Sequence, residues 1–200
     1  MKQLARLTTL AFFLFSPLAA HAAGANFFEK GLMHPMTVPI HLIAVFALGL
    51  LLGQQGWRVI RIVLPAFLVA IGAALVLTRY HSASWDPELI LLPTAAITGL
   101  LLTLKKQWFI IIPLVLAIVI AAVIGFDSSV PMIPGLQVRK IYASLAGTGI
   151  AIFGLLLIVT LIAYALRNLI HGIVLRILGA WSAAGAVLVL ALLLANAART

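Results

Sequence analysis

No Asp, Glu, Lys or Arg falls between Lys30 and Arg58, between Lys106 and Asp127, between Lys140 and Arg167, or between Arg176 and Arg199. Apolar stretches of that length match a hydrocarbon layer roughly 30 Å thick, which a helix of about 20 residues crosses. Inside lipid each backbone N–H and C=O must be satisfied by the protein itself, so such stretches fold as helices. With 64% hydrophobic and only 8% charged residues, the chain lies far from soluble domains, which carry roughly 25% charged residues. The expected fold class is an all-α integral membrane protein with six transmembrane helices after a cleaved signal peptide.

Lys2 and Arg6 form a basic leader, Leu7 to Leu18 an apolar segment, and Ala20-His21-Ala22 a small-x-small cleavage site. That order reads as a secretory signal peptide over residues 1–22 rather than a span. The transmembrane domain then covers 23–200, with spans at about 37–54, 59–78, 88–104, 108–125, 142–166 and 170–196. A cleaved leader places the mature N-terminus outside, and six passes return the C-terminus to the same side, so both termini are expected in the periplasm of a bacterial inner membrane. On this topology Arg58, Arg61, Lys105, Lys106, Arg167 and Arg176 face the cytoplasm, whereas Lys30, Arg79, Arg139, Lys140 and Arg199 lie outside. Glu29, Asp86, Glu88 and Asp127 also fall outside. The net charge of +9 therefore reads as basic residues flanking membrane spans, not as a nucleic-acid surface.

Pro39, Pro65, Pro93 and Pro113 lie in or near the start of the first four spans, where a missing N–H bends a helix and leaves room for a cavity. Ala143, Gly147 and Ala151 recur every four residues in the fifth span, as do Gly179 and Ala183 in the sixth. Small-residue stripes allow close helix approach, so these two spans are expected to pack together. The segments LPAFLVAIGAALVL and IPLVLAIVIAAVIG align Pro65 with Pro113 and Ala73-Ala74 with Ala121-Ala122, a pattern compatible with an internal repeat.

Polar residues able to carry chemistry are few: His34, His41, His81, His171, the four carboxylates, and hydroxyls such as Thr37, Ser128 and Ser129. Cysteine is absent, which removes thiolate metal sites and cysteine nucleophiles. His34 precedes Pro35, and a residue before proline is pushed away from helical geometry, so an extended segment is expected there. Thr37 then reads as an N-cap with Pro39 in the first turn. His41 follows one turn inside, where the positive end of the helix dipole disfavours imidazolium. A straight helix through Pro35 would hold His34 and His41 roughly 10 Å apart along its axis; a bend is required to bring them together. With Asp127 from the outer end of the fourth span, they would make a nitrogen and oxygen set suited to Ni²⁺, Co²⁺, Cu²⁺ or Zn²⁺. Met33 and Met36 are compatible with soft thioether contacts or with ordinary packing. The plainer alternatives are a helix-start cap and an interfacial contact for the two histidines and a turn residue for Asp127. Solvated or headgroup positions suit His81, with Asp86 and Glu88, and His171.

The stretch HPMTVPIHLIAVFALGLLLGQ resembles the first span of the HupE/UreJ family of nickel or cobalt permeases and accessory proteins. That signature is a His-Pro, further residues, then Asp-His opening a Leu/Ala/Gly-rich helix; His34-Pro35 and His41 match it. Signal peptide, length and six spans also match. Ile40 stands where the family has Asp, and the family's second motif, a Phe-His-Gly segment, is represented by GFDSSVP with Asp127 at the position of its first histidine.

The resemblance implies an inner-membrane permease for a divalent transition metal, nickel or cobalt, taken from the periplasm, with His34, His41 and Asp127 as metal-site residues. The metal is then cargo, with no permanently bound cofactor. The partners are the lipid bilayer, the ion, and a homo-oligomer or membrane partner. The alternative is a non-transporting membrane subunit or assembly partner that uses the small-residue faces of the fifth and sixth spans. No Walker motif and no Gly-x-Ser-x-Gly serine occurs, so neither nucleotide hydrolysis nor an enzyme is expected.

Overall fold

The computed structural model describes residues 27–78, 86–104, 107–128, 138–168 and 172–198. The expected signal peptide, His81, His171 and Ser129 lie outside the described residues. Among the described residues the protein is all-helical: α1 (Phe27–Thr37), α2 (Pro39–Gln55), α3 (Trp57–Leu77), α4 (Glu88–Thr103), α5 (Ile111–Asp127), α6 (Val138–Leu166) and α7 (Ile173–Ala197).

The first two helices correct the expected start of the bundle. His34 is helical, because the helix runs through Pro35 to Thr37. Pro35 supplies no N–H to the carbonyl of Gly31, and the hydroxyl of Thr148 on α6 donates to that carbonyl instead at 3.0 Å. Thr37 is not an N-cap: its hydroxyl donates back to the His34 carbonyl at 2.7 Å and closes α1. The break falls at Val38, extended at φ −111° and ψ 94°, with Pro39 opening α2. Residues before proline avoid helical geometry, and a first-turn proline lacks only an N–H that would have had no partner. The two helices meet at 76°.

α2 is apolar all round and touches each of the other six described helices. Ala44, Ala47, Leu48, Leu51 and Leu52 are fully buried, as expected for a helix with no polar face. A single residue, Gly56 at φ +96°, separates it from α3; that left-handed backbone is the reason for glycine.

The small-residue stripes close different interfaces from the one expected. α6 packs mainly on α1 and α2, α7 mainly on α4, and the two barely meet. Gly147 of α6 lies against the Phe28 carbonyl of α1, while Gly31 of α1 lies against the Ser144 carbonyl of α6. Gly99 of α4 and Gly179 of α7 face each other's backbone. The alternation of a bundle explains this: each small face is used by the helix that needs the closest approach, not by its neighbour in sequence. α3 and α5 run side by side with Ala74 against Gly125. The aligned prolines of the expected repeat differ in setting, Pro65 being exposed and Pro113 buried.

Three helices, α3, α6 and α7, are long and apolar enough to cross a membrane, and the bent pair α1 and α2 passes the same test together. α4 and α5 are apolar but shorter, at 16 and 17 residues. The chain is a helical membrane protein.

Candidate functional site

The polar site forms where α1 ends, α2 begins and α5 ends. α1 carries His34 in its last turn, α2 carries His41 in its first, and Asp127 is the last residue of α5. The bend at Val38 brings the rings of His34 and His41 to 6.1 Å between centroids, nearly edge to face. A shared ion would need one nitrogen of each ring within about 2.0 to 2.1 Å of it, so the rings stand near each other at the outer limit for two ligands of one ion. The C-termini of α1 and α5 and the N-termini of α2 and α4 all meet here, so the helix dipoles largely offset one another and the carboxylates set the sign of the site.

His41 is 1% exposed, and its Nε2 donates to Oδ2 of Asp127 at 2.8 Å. An ionised carboxylate only accepts, so the bond puts the proton on Nε2 and leaves the lone pair on Nδ1. That Nδ1 is buried without a partner, and so is Nε2 of His34. Buried imidazole nitrogens ordinarily find a partner; two orphaned ring nitrogens on adjacent histidines are what a metal ion would fill. Asp127 is 31% exposed and acts on the ring from outside, the usual arrangement in which a carboxylate fixes tautomer and orientation of a ligating histidine.

A cavity of about 140 Å³ opens beside this pair, lined by Ile40, His41, Asp86, Glu88 and Asp127. Asp86 and Glu88 were expected only as a solvated turn. They reach the site because α4 begins at Glu88 and packs on α2. The signal available in the sequence was scarcity: of the chain's four carboxylates, three line this one cavity. Ile40 lines it too, beside the carboxylates of Glu88 and Asp127. Among the described residues, however, no three His, Asp or Glu side chains converge closely enough to hold one ion. Met33 and Met36 are exposed.

Below His41 the bundle is dry. Ala44, Val45, Leu48, Leu51 and Leu52 leave no exposed surface or almost none, so the state described is closed along α2. A second polar cavity, about 350 Å³, lies at the far end of the bundle between Gln54, Gln55, Gln107, Arg167 and Asn168.

These features define a helical membrane protein with a buried imidazole and carboxylate site at one end. The HupE / UreJ protein family matches residues 9–190, and the chain belongs to that family. The family is associated with nickel or cobalt transport and with urease or hydrogenase maturation. No curated protein and no solved structure matches the chain.

Proposed function

We propose that the protein is a six-pass inner-membrane permease that admits a divalent transition metal, nickel or cobalt, from the periplasm. In this topology α1 lies at the outer surface, α2 to α7 are the six spans, and both termini of the mature chain are periplasmic. The observation that supports the reading is the pair of buried, unpartnered nitrogens on His34 and His41, with the His41 ring held by the carboxylate of Asp127. Asp86 and Glu88 draw the cation into the mouth and make up for the charge absent at Ile40. His34 Nε2 and His41 Nδ1 replace part of the ion's water shell, and Asp127 holds the His41 ring in the ligating tautomer.

The alternative of a non-transporting subunit rests on Ile40 in place of the family Asp and on the altered second motif, and it used the small-residue faces of α6 and α7 as the docking surface. Gly147 and Gly179 on those faces pack within the chain, against α1 and α4, so they are not free to receive a partner. Whole cells expressing wild type, His34→Ala or His41→Ala at equal levels provide the test. Wild type is expected to accumulate radioactive nickel or cobalt, and each variant to fall to the level of cells without the protein. Equal accumulation in all three would sink the assignment of these histidines.

A further inference from the structure

Among the described residues, four buried side-chain nitrogens or oxygens lack any hydrogen-bond partner: His34 Nε2, His41 Nδ1, Thr160 Oγ1 and Gln54 Oε1. They are not scattered through the bundle. Two lie on α2, in its first and last turns, and the other two on the neighbouring helices α1 and α6. His41 and Gln54 are α2 residues, and the His34 ring stands 6.1 Å from that of His41. The backbone of Thr160 on α6 lies against Gly49, midway along α2, where a Cβ built on that glycine would come within 3.3 Å of the Thr160 nitrogen. At 1.5 Å per residue, the steps along α2 are roughly 12 Å from His41 to Gly49 and 7.5 Å from Gly49 to Gln54.

Thr160 is the more telling of the two inner groups. Threonines in apolar helices ordinarily return their hydroxyl to a backbone carbonyl one turn back. Thr94, Thr98, Thr103 and Thr148 do so here, and Thr37 and Thr78 also donate to carbonyls. Thr160, 0% exposed, donates to none. The Gln54 amide is half satisfied: Nε2 donates to the Leu102 carbonyl at 2.9 Å, which fixes the side chain and leaves Oε1 unpaired. Gln54 lines the polar cavity at the far end of the bundle. An acceptor left dry in an apolar bundle carries an uncompensated desolvation cost, and one rationale serves both positions.

We propose that Thr160 Oγ1 and Gln54 Oε1 are the inner waystations of a divalent-cation path along α2, taking the ion over from His34 and His41. This rests on the permease reading. Both groups offer a neutral oxygen, which supports a partly dehydrated cation without holding it, and conduction needs sites weak enough to leave. The C-terminal carbonyl end of α2 at Gln54 and Gln55 adds negative dipole potential. Arg167, stacked on Tyr164 at 4.0 Å from the ring centroid, lines the same cavity and discourages an ion from dwelling there. Leu48, Leu51 and Leu52 close the path in the state described, so passage requires α2 and α6 to part at the Gly49 contact.

The test uses the full chain in liposomes with nickel outside and an inside-negative potential, alongside equilibrium nickel binding to the purified protein. Thr160→Val and Gln54→Leu are each expected to lower flux about tenfold or more while nickel affinity stays within about twofold of wild type. Thr160→Ser, which restores the hydroxyl, is expected to keep most of the flux. Wild-type flux in both Thr160→Val and Gln54→Leu overturns the inference and leaves the permease reading standing. Equal loss in Thr160→Ser and Thr160→Val also overturns it, because packing and not the oxygen would then be responsible. A wild type that binds nickel and moves none overturns both.

Discussion

The pairing of His41 with Asp127 separates the role of a ligand from that of the group that sets it. Asp127 occupies Nε2, so the nitrogen offered to a metal is Nδ1. Substituting Asn keeps the size of the side chain but lets it present an N–H to the ring. Nε2 would then accept, the proton would move to Nδ1, and the ligating lone pair would be lost. Asp127→Asn is therefore expected to weaken nickel or cobalt binding by about 10- to 100-fold, the usual cost of losing such an orienting carboxylate, with the helical fold retained. Isothermal calorimetry on the purified protein reads this directly. Unchanged affinity would place the ion somewhere other than His41 Nδ1. Of the residues in this site, His34, His41 and Asp127 were visible in the sequence because polar side chains are rare there. Asp86 and Glu88 were visible as residues but not as part of the site, since what brings them to it is the packing of α4 on α2, a contact between segments far apart in the chain.

Among the elements, α1 was not anticipated as a helix, and the reasons are physical. Pro35 reads as a helix terminator, and the short segment is polar at Glu29 and Lys30. What keeps it helical is tertiary: the Thr148 hydroxyl takes the carbonyl that Pro35 leaves free, and Gly31 and Gly147 bring the two backbones into contact. By contrast, α2 to α7 were legible to within a few residues, because in lipid the apolar run and the helix are nearly the same constraint. Which helix packs on which was not legible, since the small residues permit close approach without naming the partner. The dependence of α1 on its glycine contact makes a clean comparison. A methyl group at Gly31 collides with the Ser144 carbonyl, whereas Gly72 faces open space. Gly31→Ala is expected to cost about 1 to 3 kcal/mol through overpacking and to weaken metal binding, because His34 rides on α1. Gly72→Ala should change stability by less than about 0.5 kcal/mol. Thermal unfolding in mild detergent, paired with nickel binding, distinguishes them; equal behaviour of the two variants would show that α1 is not held by this contact.

For the whole molecule, the question is what moves an ion through a closed bundle. The chain has no nucleotide-binding motif, and Ala44, Leu48, Leu51 and Leu52 seal the centre, so flux requires both a transient opening and an external driving force. The membrane potential supplies about 2.3 kcal/mol per charge per 100 mV, hence about 4.6 kcal/mol for a divalent cation drawn toward a negative interior. At about 1.4 kcal/mol per tenfold, that sustains an inward accumulation of roughly a thousandfold or more at 100 mV. A permease of this kind has a steep signature: the accumulation ratio changes about tenfold for each 30 mV, since two charges cross. In liposomes holding wild-type protein, nickel accumulation set by a graded potassium-diffusion potential is expected to follow that slope and to vanish when the potential is abolished. A slope half as steep would mean that one positive charge leaves for each ion that enters, and the energetics would be those of an exchanger. Accumulation that persists at zero potential would require a coupled ion gradient, and passive permeation through α2 to α7 would be ruled out.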